Sequence, residues 1–262
     1  MKYWVALLVL WFACDNGAQQ PDPEPQLIWE DEFDGPAGQL PAASRWTYDI
    51  GTGWGNNQLE YDTDRPENVS LNGEGFLAIT AREEEYQGQP YTSARILTQG
   101  LFATRYGRIE ARMRMPTGQG LWPAFWMLGN NFPDVGWPAC GEIDIMEYRG
   151  QEPSIVHGSL HGPGYSAGNA ITNRYVLPNA RFDTDFHVFA VEWTQSSISW
   201  FVDGTLYATA RPEDTGGGQW AFNHPFFLIL NLAVGGTFVG SPNDDTQFPQ
   251  ALLVDWVRVY SM

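Results

Sequence analysis

Ile198-Ser-Trp-Phe-Val202, Asp203-Gly204 and Thr205-Leu-Tyr-Ala-Thr209 read together as a β-hairpin. Two runs of branched and aromatic residues meet at a dipeptide that supplies the positive φ angles of a type I′ turn. The same grammar extends outward. Arg108-Ile-Glu-Ala-Arg-Met-Arg-Met115 alternates polar and apolar residues, the pattern of a half-buried strand. Phe226 to Leu232 is a continuous apolar run bounded by Pro225 and Gly235-Gly236, which suits a central buried strand, and Leu252 to Tyr260 is again rich in strand formers. No helical period stands out over a useful length. With 28 Gly and 18 Pro cutting the chain into short strands, the expected fold is all-β, a sandwich of two antiparallel sheets. Curvature of such sheets would leave a cleft across one face.

Composition bounds the rest. At 262 residues and 43% hydrophobic the chain can build one sizeable core, and no linker, repeat or composition break follows Leu27. The 12 Trp and 11 Tyr exceed what packing needs, so some are expected on a stacking surface for flat ligands. A formal net charge of −17 argues against nucleic acid and polyanionic substrates, and otherwise serves solubility.

The first 25 residues do not read as fold, which leaves 26–262 as the folded domain. Lys2, the apolar run Tyr3 to Ala13 and then Cys14 have the charge and length of an export signal, and Asp15 to Pro25 is a polar, Pro-rich tether. Two cleavage readings compete. One falls near Ala18 and frees the protein. The other makes an acylated Cys14 the membrane anchor of a bacterial lipoprotein, although Trp11 and Phe12 are bulkier than the small residues usual before such a Cys. The chain is accordingly expected to be secreted or held at the cell envelope, and the apolar run is too short to span a membrane. Cys14 and Cys140 form no disulfide framework; Cys140 reads as a small buried thiol rather than a nucleophile. A monomer is the simplest expectation.

The chemistry concentrates in Gly141-Glu-Ile-Asp-Ile-Met-Glu147. Glu142, Asp144 and Glu147 are spaced by Ile143, Ile145 and Met146, which suits a strand inside the protein rather than a solvated charge run. Regular alternation puts Glu142 and Asp144 on one face and Glu147 on the other. One extra residue, a β-bulge near Ile145-Met146, returns Glu147 to the first face. Converging carboxyls suit retaining glycoside hydrolysis, in which one carboxylate attacks and a second carboxyl donates a proton. Repulsion from Asp144 would help keep the donor protonated. The competing reading is a metal cage, but calcium draws on closely spaced oxygens in a loop with Gly or Asn rather than on acids spaced by Ile and Met.

This segment, preceded by Gly120-Leu-Trp-Pro-Ala-Phe-Trp-Met-Leu128, resembles glycoside hydrolase family 16, in particular its laminarinase-like endo-β-1,3-glucanases. The resemblance runs from Trp29-Glu-Asp-Glu-Phe33 to Val254-Asp-Trp-Val-Arg-Val-Tyr260. It implies a β-jelly roll with a substrate cleft on its concave face and a retaining mechanism that needs no cofactor. It also implies Glu142 as nucleophile, Asp144 as assisting acid and Glu147 as acid/base. The two residues between Asp144 and Glu147 match the bulged form of the motif, whereas lichenase-type members have one, so the resemblance favours a neutral β-1,3-glucan as partner. Mixed-linkage glucan or agarose as substrate, transglycosylation, and a non-catalytic glucan-binding protein are the alternatives. The last would be expected to lack one of the acids.

Trp122, Ala124 and Trp126 share a strand face by alternation, with Ala124 leaving space between two indoles on which pyranose rings could stack. Trp137, in the loop from Pro133 to Pro138, reads as a ligand contact. The resemblance adds His161 near the cleaved sugar, and Asn56 and Arg95 as hydrogen-bonding residues on the glycone side. Alone, Asn56 reads as a turn residue and Arg95 as a surface charge. The resemblance further implies a structural calcium held by Glu32 and Gly75 through backbone oxygen and by Asp255, for which a salt bridge or turn contact is the other reading. Arg65, Arg105 and Arg108 carry no readable message.

Overall fold

Short strands separated by turn residues pair into two stacked sheets. The structure, a computed structural model, describes residues 25–262 and contains 17 strands. The export signal, Cys14 and tether residues 15–24 lie outside the described residues. The hairpin is present as Ile198–Val202 and Thr205–Ala210, with Val202 opposite Thr205, and Asp203 and Gly204 at φ of 50° and 76°. Positive φ at both central residues is the type I′ geometry, whose twist matches that of such closely joined strands.

The larger sheet runs in the order Thr205–Ala210, Ile198–Val202, His187–Trp193, Gly107–Arg114, Gln250–Tyr260, Leu77–Tyr86, Gln89–Ser93 and Glu60–Asp62. Leu27–Asp31 joins it beside Gln250–Tyr260, and Val69–Leu71 beside Leu77–Tyr86. The smaller sheet runs Ile171–Val176, Ile155–His161, Glu142–Tyr148, Leu121–Gly129, Phe226–Val234, Arg95–Leu97 and Thr47–Asp49. Among the described residues every strand pair is antiparallel except Glu60–Asp62 with Gln89–Ser93. Helical pieces are single turns at Phe132–Val135, Ala167–Asn169 and Pro212–Thr215, and the first replaces part of the loop expected before Glu142.

Phe226–Val234 is buried at every position because it has a strand on each side and cover on both faces. Between the sheets, Phe125, Met127, Ile143, Ile145 and Met146 of the smaller sheet pack in one cluster with Trp193, Trp200, Val254 and Val257 of the larger. Burial of each such side chain stabilises the fold by about 1.5–3 kcal/mol. Trp46, Trp193 and Trp200 are fully buried, so part of the aromatic surplus is core. Each of their indole N–H groups has an acceptor: Asp31 Oδ2 at 2.8 Å, the Phe222 carbonyl at 3.1 Å and the Asp144 carbonyl at 2.8 Å.

Candidate active site

Cross-strand register decides which acids meet. Glu142 pairs with Leu128 on one side and His161 on the other, and Asp144 with Trp126 and Ser159. Beyond Asp144 the register slips, so that Glu147 lies opposite Ala124 and His157, and Ile145 and Met146 together oppose Gly158. Leu128, Trp126 and Ala124 alternate along their own strand, which puts all three acids on one face. Ile145 and Met146 both remain in the interlayer core. Without the bulge Glu147 would point into that core. The irregularity expected at Ile145-Met146 is present.

The acids are held by close donors. The His161 Nε2 lies 3.1 Å from Asp144 Oδ2, off the angle of a good hydrogen bond, and 3.7 Å from Glu142 Oε1. The indole of Trp137 donates to Glu142 Oε2 at 2.8 Å, and the indole of Trp122 donates to Glu147 Oε1 at 3.2 Å. The Ser159 hydroxyl reaches Glu147 Oε2 at 3.5 Å and sits 3.1 Å from Thr172 Oγ1. Glu142, Asp144 and His161 also offer donor atoms within 4.8 Å of one another, a spacing that would admit a small cation.

Burial pushes all three carboxyls up, and their mutual repulsion adds to it. Glu142 rises to about 8 and Glu147 to about 7, while Asp144 stands well above the ordinary carboxylate range. His161 and the indole donors pull Glu142 and Glu147 the other way. Because the groups interact strongly, the protons are shared by the cluster as a whole. The donors do discriminate. Glu142 has the shorter bond and the imidazole beside it, which favour its anion; Glu147 holds longer bonds to Trp122 and Ser159.

The rest of the cleft face is built around Arg95. Its guanidinium lies 4.8 Å from the ring centre of Trp126 and 5.2 Å from that of Trp54, and its Nε is 2.8 Å from Asp49 Oδ2. With its side chain 14% exposed, Arg95 is no surface charge. Trp126 is fixed on its other edge by a 2.8 Å bond from its indole to Asn231 Oδ1. Asn56 is the exposed turn residue its sequence suggests, at φ 56°, and its carbonyl accepts the Thr237 N–H at 2.8 Å. That bond ties its loop to Gly236, whose backbone lies against both Asn56 and Trp122. Trp137 is 44% exposed at the rim. Asn231, the lone polar residue in Phe226–Val234, carried a signal in the sequence; Ser159, Asp49 and Trp54 did not.

Other residues fall outside the cleft. Strand register brings Glu32, Gly75 and Asp255 to one end of the larger sheet, through Asp31 opposite Val257 and Leu77 opposite Val254. The Glu32 carboxylate is clasped by Arg258 at 2.7 and 2.9 Å, and Asp255 pairs with Arg112, the salt bridge weighed for it above. The Glu32 and Gly75 carbonyls accept no hydrogen bond among the described residues. Arg65 and Arg108 bind neighbouring acids, Glu84 for the first, Glu110 and Glu192 for the second. Cys140 is fully buried, and burial with the nearby Glu142 charge pushes its thiol up to about 11, so it is no nucleophile.

The raised carboxyls predict a pH-dependent stability. Between the ordinary Glu value of 4.5 and the folded values near 7 and 8, the folded state holds more protons than the unfolded one. Their contribution is therefore full below about 4.5 and is lost as pH rises through the folded values. Glu142→Gln and Glu147→Gln should each stabilise the protein at pH 8 relative to pH 5, by on the order of 1–2 kcal/mol in urea unfolding. An equal effect at both pH values would refute the assigned direction.

Comparison with known proteins agrees with this geometry. The profile of glycosyl hydrolases family 16 matches residues 49–258. The beta-glucanase of Rhodothermus marinus is 43% identical over 99% of this chain and 94% of its own length. The laminarinase catalytic domain from Thermotoga maritima MSB8 superposes with a TM-score of 0.86 at 45% identity, covering 92% of this chain and 99% of that one. The endo-beta-1,3-glucanase from Pyrococcus furiosus superposes with a TM-score of 0.85 at 45% identity, covering 90% and 94%. The sandwich is thus a β-jelly roll, and the chain belongs to glycosyl hydrolase family 16.

Proposed function

We propose that the protein is a retaining, endo-acting hydrolase of β-1,3-glucan of the laminarin type. The observation that carries this reading is the bulge at Ile145–Met146, which turns three acids of one strand onto a face lined by Trp122 and Trp126. Glu142 attacks the anomeric carbon while Glu147 protonates the departing oxygen, forming a glycosyl ester on Glu142. Glu147 then takes a proton from water, which displaces Glu142 and restores the β configuration. Asp144 repels a second negative charge on its neighbours, and with His161 it keeps the proton traffic within the cluster. Indole faces suit the C–H surface of a neutral pyranose, and Arg95, tied to Asp49, offers no free charge for an anionic one. Similarity to laminarinases supports the linkage.

Glu142→Ser should lower laminarin hydrolysis by at least about a thousandfold while leaving oligosaccharide binding near normal. Surviving activity would remove Glu142 as nucleophile. Proton NMR should show the β-anomer as the first product. Faster cleavage of lichenan or agarose than of laminarin would replace the proposed substrate.

Two finer features belong to the same proposal. A structural calcium would be held by the Glu32 and Gly75 carbonyls and Asp255, oxygen donors of the kind this ion takes, with Arg112 competing for the carboxylate. The melting temperature should rise with added calcium after chelation; an unchanged temperature would remove the ion. Export with an acylated Cys14 is supported by Lys2, the apolar run Tyr3 to Ala13 and the polar tether. Labelled palmitate should enter the full chain in a bacterial host but not Cys14→Ser, and an unlabelled full chain would leave a freely secreted enzyme.

A further inference from the structure

The acids depend on the bulge, and the bulge meets a residue of the opposite sheet. Where Ile145 and Met146 crowd opposite Gly158, the Asp144 carbonyl accepts the indole N–H of Trp200 at 2.8 Å. Trp200 is fully buried and belongs to Ile198–Val202 of the larger sheet. Gly158 leaves the room for this contact. A Cβ there would lie 2.5 and 2.6 Å from the Trp200 ring atoms Cδ1 and Nε1, and 2.6 Å from the Tyr207 hydroxyl. The hairpin is itself irregular at this level. Trp200 pairs with Ala208 and Phe201 with Leu206, so Tyr207 is the extra residue. A bulge in each sheet therefore faces the other across Gly158.

In a regular ladder a strand carbonyl points within the sheet toward a neighbouring strand. One that accepts a donor from the opposite sheet has its peptide plane turned toward the core, and that turn redirects the side chains beside it. We infer that Trp200 is a positioning residue for catalysis: its indole N–H, admitted by Gly158, fixes the bulge that aims Asp144 and Glu147 into the cleft. The inference rests on the hydrolase reading above. Trp200 acts through Asp144 and not on the sugar. A buried carbonyl that loses this donor is left unsatisfied, and regaining a partner requires the bulge to shift. Displacement of a catalytic group by about 1 Å can cost about a hundredfold in rate.

The test is a pair of analogues at position 200 in the full chain. Benzothienylalanine puts sulfur in place of the N–H, while 7-azatryptophan keeps the N–H in the same shape. The first should lower kcat on laminarin about 10–100-fold with KM within about twofold, and the second should stay near the natural rate. Gly158→Ala, which drives the indole off, should lower kcat like the first. Equal rates in the two analogues, whether both natural or both lowered, would overturn the inference. If the analogues do not fold, an unchanged kcat in Gly158→Ala overturns it instead. An unaltered chain that cleaves laminarin alongside such a result keeps the hydrolase reading intact; one that cleaves none of laminarin, lichenan and agarose sinks both.

Discussion

A β-strand offers one face only every second residue, yet this protein needs Glu142, Asp144 and Glu147 on the same face. A single inserted residue resolves the conflict. With Ile145 and Met146 sharing the space opposite Gly158, two apolar side chains stay in the core and the third acid returns to the cleft. Everything else about the site follows from that placement. The flanking strands present Trp126 and Ala124 on one side and His161 and Ser159 on the other because the register allows no other residues there.

The second constraint is electrostatic. Three carboxyls in a poorly hydrated place disfavour one another's charge, which keeps a proton available near neutrality but weakens the folded state as pH rises. The surrounding sheet absorbs this cost through its apolar interlayer core. Arg95 shows a complementary arrangement. Its charge is paired with Asp49 and lies against the faces of Trp54 and Trp126, so the cation braces an aromatic wall of the cleft.

Much of the fold was legible because its signals are local. The Asp203-Gly204 turn, the alternation of Arg108–Met115 and the apolar run from Phe226 each need only a few neighbouring residues to be read. The bulge was legible too, since the spacing of acids and apolar residues makes sense only with an extra residue. Long-range contacts were not. Nothing near Arg95 in sequence distinguishes a guanidinium held between two indoles from a solvated one, and Trp200 reads like any strand Trp until the opposite sheet is in place. The aromatic count likewise could not say that Trp46 and Trp193 are core while Trp137 stands at the rim.

Cys140 closes the short turn that carries Trp137 to Glu142, and it is fully buried in a cluster with Leu97, Leu128, Phe227 and Ile229. A thiol in that position reacts with an alkylating reagent only when the surrounding structure opens. The molecule thus carries a built-in gauge of its own breathing, placed beside the catalytic strand.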